Sequence, residues 1–489
     1  MNCVNYLLPK DIDTEELFVL GQKETLSFYD LKQQVFMLAG ALRKKYGCGN
    51  KIILLSPNNN FCIVSYLAIM KSGNVVVPLN PSTEKQQLQF VKAQTGCEVM
   101  FVPEVLKRRI EVPFKDVWCE ADIQSICKDG STFDSIEADE LDPDTLAQII
   151  YTSGSTAMPK GVMISHRNII ANTSSIVDYL NLTSADIMEV VLPFFYCYGL
   201  SLLHTHLRVK GKIVLNNNFI FLGSVYKDFE KYKCTGFAGV PSHFQILMRK
   251  SDTFVKTQFP HLRYVTQAGG KLHSVFIEEF RKAKPDIQFI VMYGQTEATA
   301  RLSYLPAERL DDKLGSLGKG IPGVQLKVVD DLGHAIKPGQ IGEIIAKGDN
   351  VMLGYYKDEK ATAQALRNGW LYTGDLATLD EEGFIYHAAR KKEIIKVGGR
   401  RVSPKEIEEV IVSIPGVVDC TIKSIHDEVL GEAIKAVVVK NDANAELDEN
   451  SVKEFCSTRL AAYKIPHIIT FTSKMDVNAA GKKVKKQEG

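Results

Sequence analysis

What most constrains the fold of this chain is a repeated pairing of a short, wholly apolar run with a small polar loop. It recurs in NKIILLSPNN, NVVVPLNPS, LAQIIYTSG, KIVLNNN, LRYVTQAGG and IQFIVMYGQ. A segment that is apolar at both odd and even positions has to bury both of its faces. A strand inside a covered, largely parallel sheet does so. Amphipathic stretches alternate with these runs: LSFYDLKQQVFMLAGALRKKYG reads as a helix stopped by Gly47, and FCIVSYLAIMKSG as a second. Strand and helix in alternation predict an α/β fold, whose function gathers in the loops beyond the carboxyl ends of the strands.

The texture changes after about Lys313. GSLGKGIPGVQLKVVDDLGHAIKPGQIGEIIAKG is rich in glycine and short strands, which predicts turn-rich β structure. The charged segment ARKKEIIKVGGRR follows. SPKEIEEVIVS then carries a Ser at the N-cap, a Pro at the first helical position and a Glu at the third, and so opens a new helix. VVDCTIKSI, EAIKAVVVK and SVKEFCSTRLAAY complete a small α+β unit. The predicted organisation is a large amino-terminal domain over 1–389 with a β-rich subdomain at about 313–389, a hinge at 390–394, and a small carboxyl-terminal domain over 395–489.

Composition removes several function classes. The 489 residues carry a formal net charge of +1, which gives no reason to expect nucleic acid or an anionic membrane as partner. No apolar run reaches the length of a membrane span, and the start lacks the basic-then-apolar pattern of a secretory signal. Ten cysteines without a C-x-x-C pair argue against a zinc site or a disulfide framework and fit a reducing, cytoplasmic setting.

Several strings could carry chemistry, each with a plainer alternative. YTSGSTAMPKG follows a buried run and offers backbone N–H groups, the hydroxyls of Thr152, Ser153, Ser155 and Thr156, and the cation of Lys160. Such a loop can wrap a polyphosphate, or it can be an ordinary polar turn. It is not a P-loop, because Lys160 precedes a glycine and has no hydroxyl after it. In VMYGQTEAT, Thr296 and Glu297 stand where a strand ends and could hold Mg²⁺, or form an ordinary helix start. Asp375 in YTGD could accept from paired ribose hydroxyls, or serve only an Asx-turn. Arg390, Lys392, Lys396 and Arg401 form a cationic patch that is also what a solvated linker looks like. Lys482 lies in a basic tail that composition alone would call a frayed end. His204 and His206 are two apart and do not share a helix face, so they do not suggest a metal pair.

Taken in order, YTSGSTAMPKG, YGQTE, YTGD, RKKEIIKVGGRRVSPKEIE and the terminal GK resemble the adenylate-forming superfamily of acyl-CoA synthetases, peptide-synthetase adenylation domains and firefly-type luciferases. The resemblance spans nearly the whole chain and is closest to the acyl-CoA synthetase branch. It implies that a carboxylate attacks the α-phosphorus of Mg·ATP, releasing pyrophosphate and leaving an acyl-adenylate, and that a thiol then displaces AMP. By this resemblance Thr152, Ser153, Gly154, Ser155, Thr156 and Lys160 form the pyrophosphate clamp. Thr296 meets the α-phosphate and Glu297 binds Mg²⁺. Ala268, Gly269, Gly270, Tyr293, Gly294 and Gln295 form the adenine slot and its flank. Asp375 takes the ribose, with Arg390 and Arg401 as further nucleotide contacts. Lys482 is the catalytic lysine on a mobile carboxyl-terminal domain, Lys392 the hinge, and Gly398 and Gly399 the thiol channel.

The chain departs from the family at Ala157 and Ala389, where glycine, or at the second position glycine or aspartate, is usual. Amino-acid-activating members place an aspartate in an FDxS motif, where this chain has YGLS with Gly199 at that position. PFFYCYGL instead resembles the acyl-CoA synthetase pattern and implies an acid pocket near Tyr196, Tyr198, Gly199 and Val240, with Ala238 and Gly239 beside them. The expected partners are a small carboxylic acid, ATP with Mg²⁺, and coenzyme A or the phosphopantetheine of a carrier protein. A monomer and a homodimer are both compatible with the sequence. A stand-alone amino-acid or aryl-acid adenylating enzyme and an inactive adenylate-binding scaffold are the alternatives.

Overall fold

The apolar runs become strands covered on both faces. The architecture is that of a computed structural model, which describes every residue except 10, 11, 13, 22, 23, 130–140, 153–158, 392, 428, 429, 441–446 and 474–489. One sheet has seven strands, with Lys51–Leu55 parallel to both Val75–Leu79 and Val99–Phe101. β1 (Leu146–Thr152) joins alongside Val75–Leu79, and β2 (Lys160–Ser165) runs back antiparallel to it. The helix Phe28–Tyr46 flanks this layer. Ser27 caps its start, Gly47 at φ 75° ends it, and it buries Leu31, Val35, Leu38 and Leu42 at helical spacing.

The second sheet has fourteen strands. Its parallel part contains β3 (Ile187–Val190), β4 (Gly236–Gly239), β5 (Tyr264–Gln267) and β6 (Gln288–Tyr293). Gly239 pairs with Gln267 and Gln267 with Val291, so the carboxyl ends of β4, β5 and β6 open on one edge. Helix α1 (Cys197–Arg208) follows β3, and α2 (Pro241–Arg249) follows β4. Phe289 of β6 packs at 5.0 Å from both Phe244 of α2 and Phe280, which anchors that helix layer to the sheet.

The glycine-rich stretch is β structure, and it extends the large sheet. β7 (Gly354–Tyr355) leaves it for the seven-stranded sheet and pairs antiparallel with β2. β8 (Trp370–Leu379) and β9 (Ile385–Arg390) continue the fourteen-stranded one. This segment therefore joins the two sheets, a role that its composition does not announce.

Beyond β9, the strands Ile395–Val397, Arg400–Val402, Val417–Asp427, Gly431–Lys440 and Ile468–Thr472 form a third sheet. Gly398 (φ 54°) and Gly399 (φ 80°) make the two-residue turn between its first two strands, a hairpin connection that calls for glycine. Helix α3 (Pro404–Val412) starts at its proline, but the capping residues act differently from the sequence expectation. The Ser403 hydroxyl donates to the Ala388 carbonyl at 2.5 Å, and Glu406 pairs with Lys464 at 2.5 Å. The third sheet meets the main body through Glu409. Its carboxylate accepts from the Ser274 backbone N–H at 2.7 Å and lies 3.1 Å from both the His273 Nδ1 and Lys271 Nζ. Burial pushes the Glu409 carboxyl up, but these partners outweigh it and hold it well below the usual carboxylate range. Gln245 donates to Asp419 at 3.2 Å and Arg249 to the Val417 carbonyl at 2.7 Å. Among the described residues no helix is long and apolar enough to cross a membrane.

Glu189 of β3 sits in the core at 0% exposure, with its Oε1 unpartnered. Burial, and then the neighbouring Asp228 charge, push its carboxyl well above the ordinary carboxylate range, so it is held neutral. The unfolded chain loses this proton at a lower pH than the folded one. Stability therefore falls as pH rises above about 4.3, and keeps falling until the folded carboxyl ionises. Glu189→Gln should melt at a higher temperature than the parent at pH 8, with the gap closing toward pH 4, as read by thermal melts across that range.

Candidate active site

Parallel pairing delivers four loops to one edge: those after β3, β4, β5 and β6. The loop after β3 leads into α1. Tyr196 is the residue before the helix, partly exposed, its ring tilted on Phe195 at 4.7 Å. Cys197, the first helical residue, lies with its Sγ 3.5 Å from the Thr296 hydroxyl, which brings this loop against the loop after β6. Tyr198 points into the core. Its hydroxyl donates to the Thr266 carbonyl at 2.9 Å, and the Arg301 guanidinium lies 4.0 Å from its ring. Gly199 is tightly packed, because a Cβ there would lie 2.1 Å from the Pro193 carbonyl oxygen. Val240 is buried immediately before α2, and Ala238 and Gly239 are buried in β4.

Ala268 follows β5 and is buried, its N–H donating to the Gly239 carbonyl at 3.3 Å. Gly269 takes φ 86°, and the Gly270 carbonyl accepts from the Gln267 side chain at 2.8 Å. After β6, Gly294 sits where a Cβ would be 1.9 Å from the Ala300 carbonyl oxygen, so only glycine fits this turn. Thr296 to Ala298 form a short 3-10 turn rather than the start of an α-helix, and Thr296 does not cap it. The buried Gln295 Nε2 has no partner, which leaves an amide donor available at the site.

Two side-chain clusters stand at this edge. In the first, Asp375 on β8 accepts from the Tyr293 hydroxyl at 2.7 Å and lies 3.2 Å from the Arg390 Nε across the β8–β9 pair. His387 Nε2 is 3.7 Å from the same carboxylate, and its buried Nδ1 has no partner. Burial pushes the Asp375 carboxyl up, but His387, Arg390 and Tyr293 together hold it below its ordinary value, so it stays an anion able to accept from hydroxyls. In the second cluster, Glu297 accepts from the Tyr355 hydroxyl at 2.8 Å. Lys160 lies 4.9 Å from the centre of the same tyrosine ring and 3.7 Å from Asp358.

The Glu297 carboxylate offers oxygen, the donor type that Mg²⁺ prefers. Among the described residues no three His, Cys, Asp or Glu side chains gather as a closed metal cage. One carboxylate that leaves the remaining positions to substrate phosphates is the arrangement this ion commonly uses.

Thr152 pairs with Lys160 across β1 and β2, so the residues that flank the intervening loop are held together. Ser153, Gly154, Ser155, Thr156 and Ala157 lie outside the described residues, as do Lys392 and Lys482. Arg401 falls on the strand Arg400–Val402, and Gly398 and Gly399 on the hairpin turn before it. Sequence reading missed Tyr355, His387 and Cys197. Tyr355 stands in an unremarkable GYYKD, and its contacts come from strand pairing with a distant segment.

Residues 11–356 match the family described as AMP-binding enzyme, and residues 406–482 match the AMP-binding enzyme C-terminal domain. The chain belongs to the AMP-binding enzymes. It is 29% identical to a long-chain-fatty-acid–CoA ligase of Escherichia coli, covering 95% of this chain and 90% of that one. It is 28% identical to a feruloyl-CoA synthase of an Amycolatopsis species, covering 94% and 92%. The structure matches o-succinylbenzoate CoA synthetase of Bacillus subtilis, solved with its acyl-adenylate, at TM-score 0.86 and 25% identity, covering 99% of this chain and 96% of that one.

If Asp375 receives the ribose, Asp375→Asn should raise KM for ATP roughly 10- to 100-fold, the size of a lost hydrogen bond to a charged group. KM for the acid should move little. Steady-state kinetics with each substrate varied in turn checks both.

Proposed function

We propose that this chain activates an apolar carboxylic acid with ATP and passes the acyl group to the thiol of coenzyme A. It is an ATP-dependent acid–thiol ligase that works through an acyl-adenylate. The observation that carries the reading is the placement of two clusters, Tyr293–Asp375–Arg390 and Glu297–Tyr355–Lys160, at the one edge where the parallel strands end. The same fold in Bacillus subtilis o-succinylbenzoate CoA synthetase has been solved with ATP and a magnesium ion, at TM-score 0.83 and 25% identity.

The chemistry follows from the charges. A carboxylate is a poor acylating agent, and two anions have to meet in line. Asp375 receives the ribose hydroxyls, and Ala268 to Gly270 with Tyr293 border the base. Lys160 and the hydroxyls of the 152–156 loop draw charge from the leaving pyrophosphate, and Thr296 meets the α-phosphate. Glu297 holds Mg²⁺, which neutralises charge on the phosphates. Lys482 bridges the attacking carboxylate and the α-phosphate. In the second half-reaction the thiol sulfur attacks the acyl carbon and AMP leaves. Lys392 is the hinge about which the carboxyl-terminal domain, residues 395–489, rotates between the half-reactions, and Gly398 and Gly399 then border the thiol path.

An apolar acid is favoured by the surroundings of Tyr196. Val240 is buried beside the site, and the buried Phe194 and half-buried Phe195 stand just before Tyr196. Gly199 supplies no carboxylate for a substrate ammonium, and burying that cation unpaired would be costly. The free cysteines suit a reducing, cytoplasmic setting.

AMP release should be seen with alkyl or aryl acids, should rise when coenzyme A is added, and should not be seen with free amino acids. Lys482→Ala should abolish acyl-adenylate formation and largely spare thioester formation from preformed acyl-adenylate. Equal loss of both half-reactions would contradict its role.

A further inference from the structure

Tyr355 touches both halves of the phosphate corner. Its hydroxyl donates to Glu297 Oε1 at 2.8 Å, and its ring faces Lys160 Nζ at 4.9 Å from the centroid. Glu297 and Lys160 come from different sheets, on the 3-10 turn after β6 and at the start of β2. β7 spans the gap at this point. Met352 donates its N–H to the Glu297 carbonyl at 2.9 Å. Leu353 donates to Met163 at 2.9 Å and Tyr356 to Gly161 at 2.7 Å, on either side of the Tyr355–Val162 pair. The backbone of residues 352–356 is thus stitched to both partners, which fixes where the phenol points.

A phenol O–H bound to Oε1 fixes the rotation of the carboxylate and leaves Oε2 as its open oxygen. Oriented carboxylates bind metal better than free ones, and losing the orienting group typically weakens binding 10- to 100-fold. The ring acts separately. A cation over an aromatic face is attracted by a neutral ring, which gives Lys160 a second partner besides Asp358 at 3.7 Å and leaves it able to meet a phosphate. We propose that Tyr355 is a positioning residue for the metal and pyrophosphate corner, with its hydroxyl orienting Glu297 toward the divalent ion and its ring holding Lys160 toward the phosphates. The proposal rests on the reading of Glu297 as the magnesium ligand.

The two functions separate by mutation. Tyr355→Phe removes the hydroxyl and keeps the ring, whereas Tyr355→Leu removes both. Mn²⁺ titrated into full-length protein with ATP present, and followed by electron paramagnetic resonance, should bind about tenfold more weakly to Tyr355→Phe than to the parent. Metal-free ATP binding by calorimetry should be unchanged in Tyr355→Phe and weaker in Tyr355→Leu. A purely structural role would lower the melting temperature of Tyr355→Phe without moving Mn²⁺ affinity, and that result overturns the proposal. Unchanged metal-free ATP binding in a folded Tyr355→Leu overturns the part assigned to the ring. A parent protein that binds ATP but no Mn²⁺ overturns both the proposal and the reading of Glu297 beneath it.

Discussion

The site depends on the in-register parallel pairing of β4, β5 and β6. Because these strands run the same way, Gly239, Gln267 and Val291 lie side by side and β6 carries Tyr293 two residues beyond that level, although long helical crossovers separate the three in sequence. An antiparallel arrangement would send alternate loops to opposite edges. Close packing of the helices on the sheet holds the register, with Phe244, Phe280 and Phe289 interlocked beneath β6. A slip of one residue along β6 would turn Tyr293 away from Asp375 and move the carboxylate of Glu297 with it.

Parallel pairing alone gives only half a site. Lys160 belongs to the other sheet, and β7 brings the two together. That strand is two residues long, and its first residue, Gly354, has φ 138°, a conformation that side-chain-bearing residues rarely adopt. Through β7 the Glu297 carboxylate and the Lys160 ammonium share one tyrosine. β8 and β9 contribute Asp375 and Arg390 to the same mouth, so this part of the chain supplies both the Asp375 carboxylate and the junction of the corner.

Much of this was legible in the sequence where physics is local. Runs apolar at every position predict strands buried on both faces, and YGQTE and QAGG each fall at the end of such a strand. Gly47 stops its helix as expected. What was not legible depends on pairing at a distance. Nothing in GYYKD says that Tyr355 will face Val162, and nothing in FIYHAAR says that His387 will lie beside Asp375. Ser403 has a fitting cap sequence, yet its hydroxyl finds the Ala388 carbonyl instead, a partner brought in by the packing of α3 against β9. Glu297 reads as the first turn of a helix, but only a 3-10 turn forms before Thr299 turns the chain at φ 65°.

The contacts of the third sheet's domain link it to the mouth of the parallel strands, since Glu409 reaches Lys271, directly after Ala268 to Gly270. In the proposed reaction a carboxylate attacks the α-phosphorus of ATP. Oxygen transfer tests it most directly. The acid that gives the fastest AMP release is supplied with ¹⁸O in its carboxylate, and the products are analysed by mass spectrometry after a single turnover with coenzyme A. The account predicts one ¹⁸O in AMP and none in pyrophosphate. Label in inorganic phosphate together with formation of ADP would contradict it.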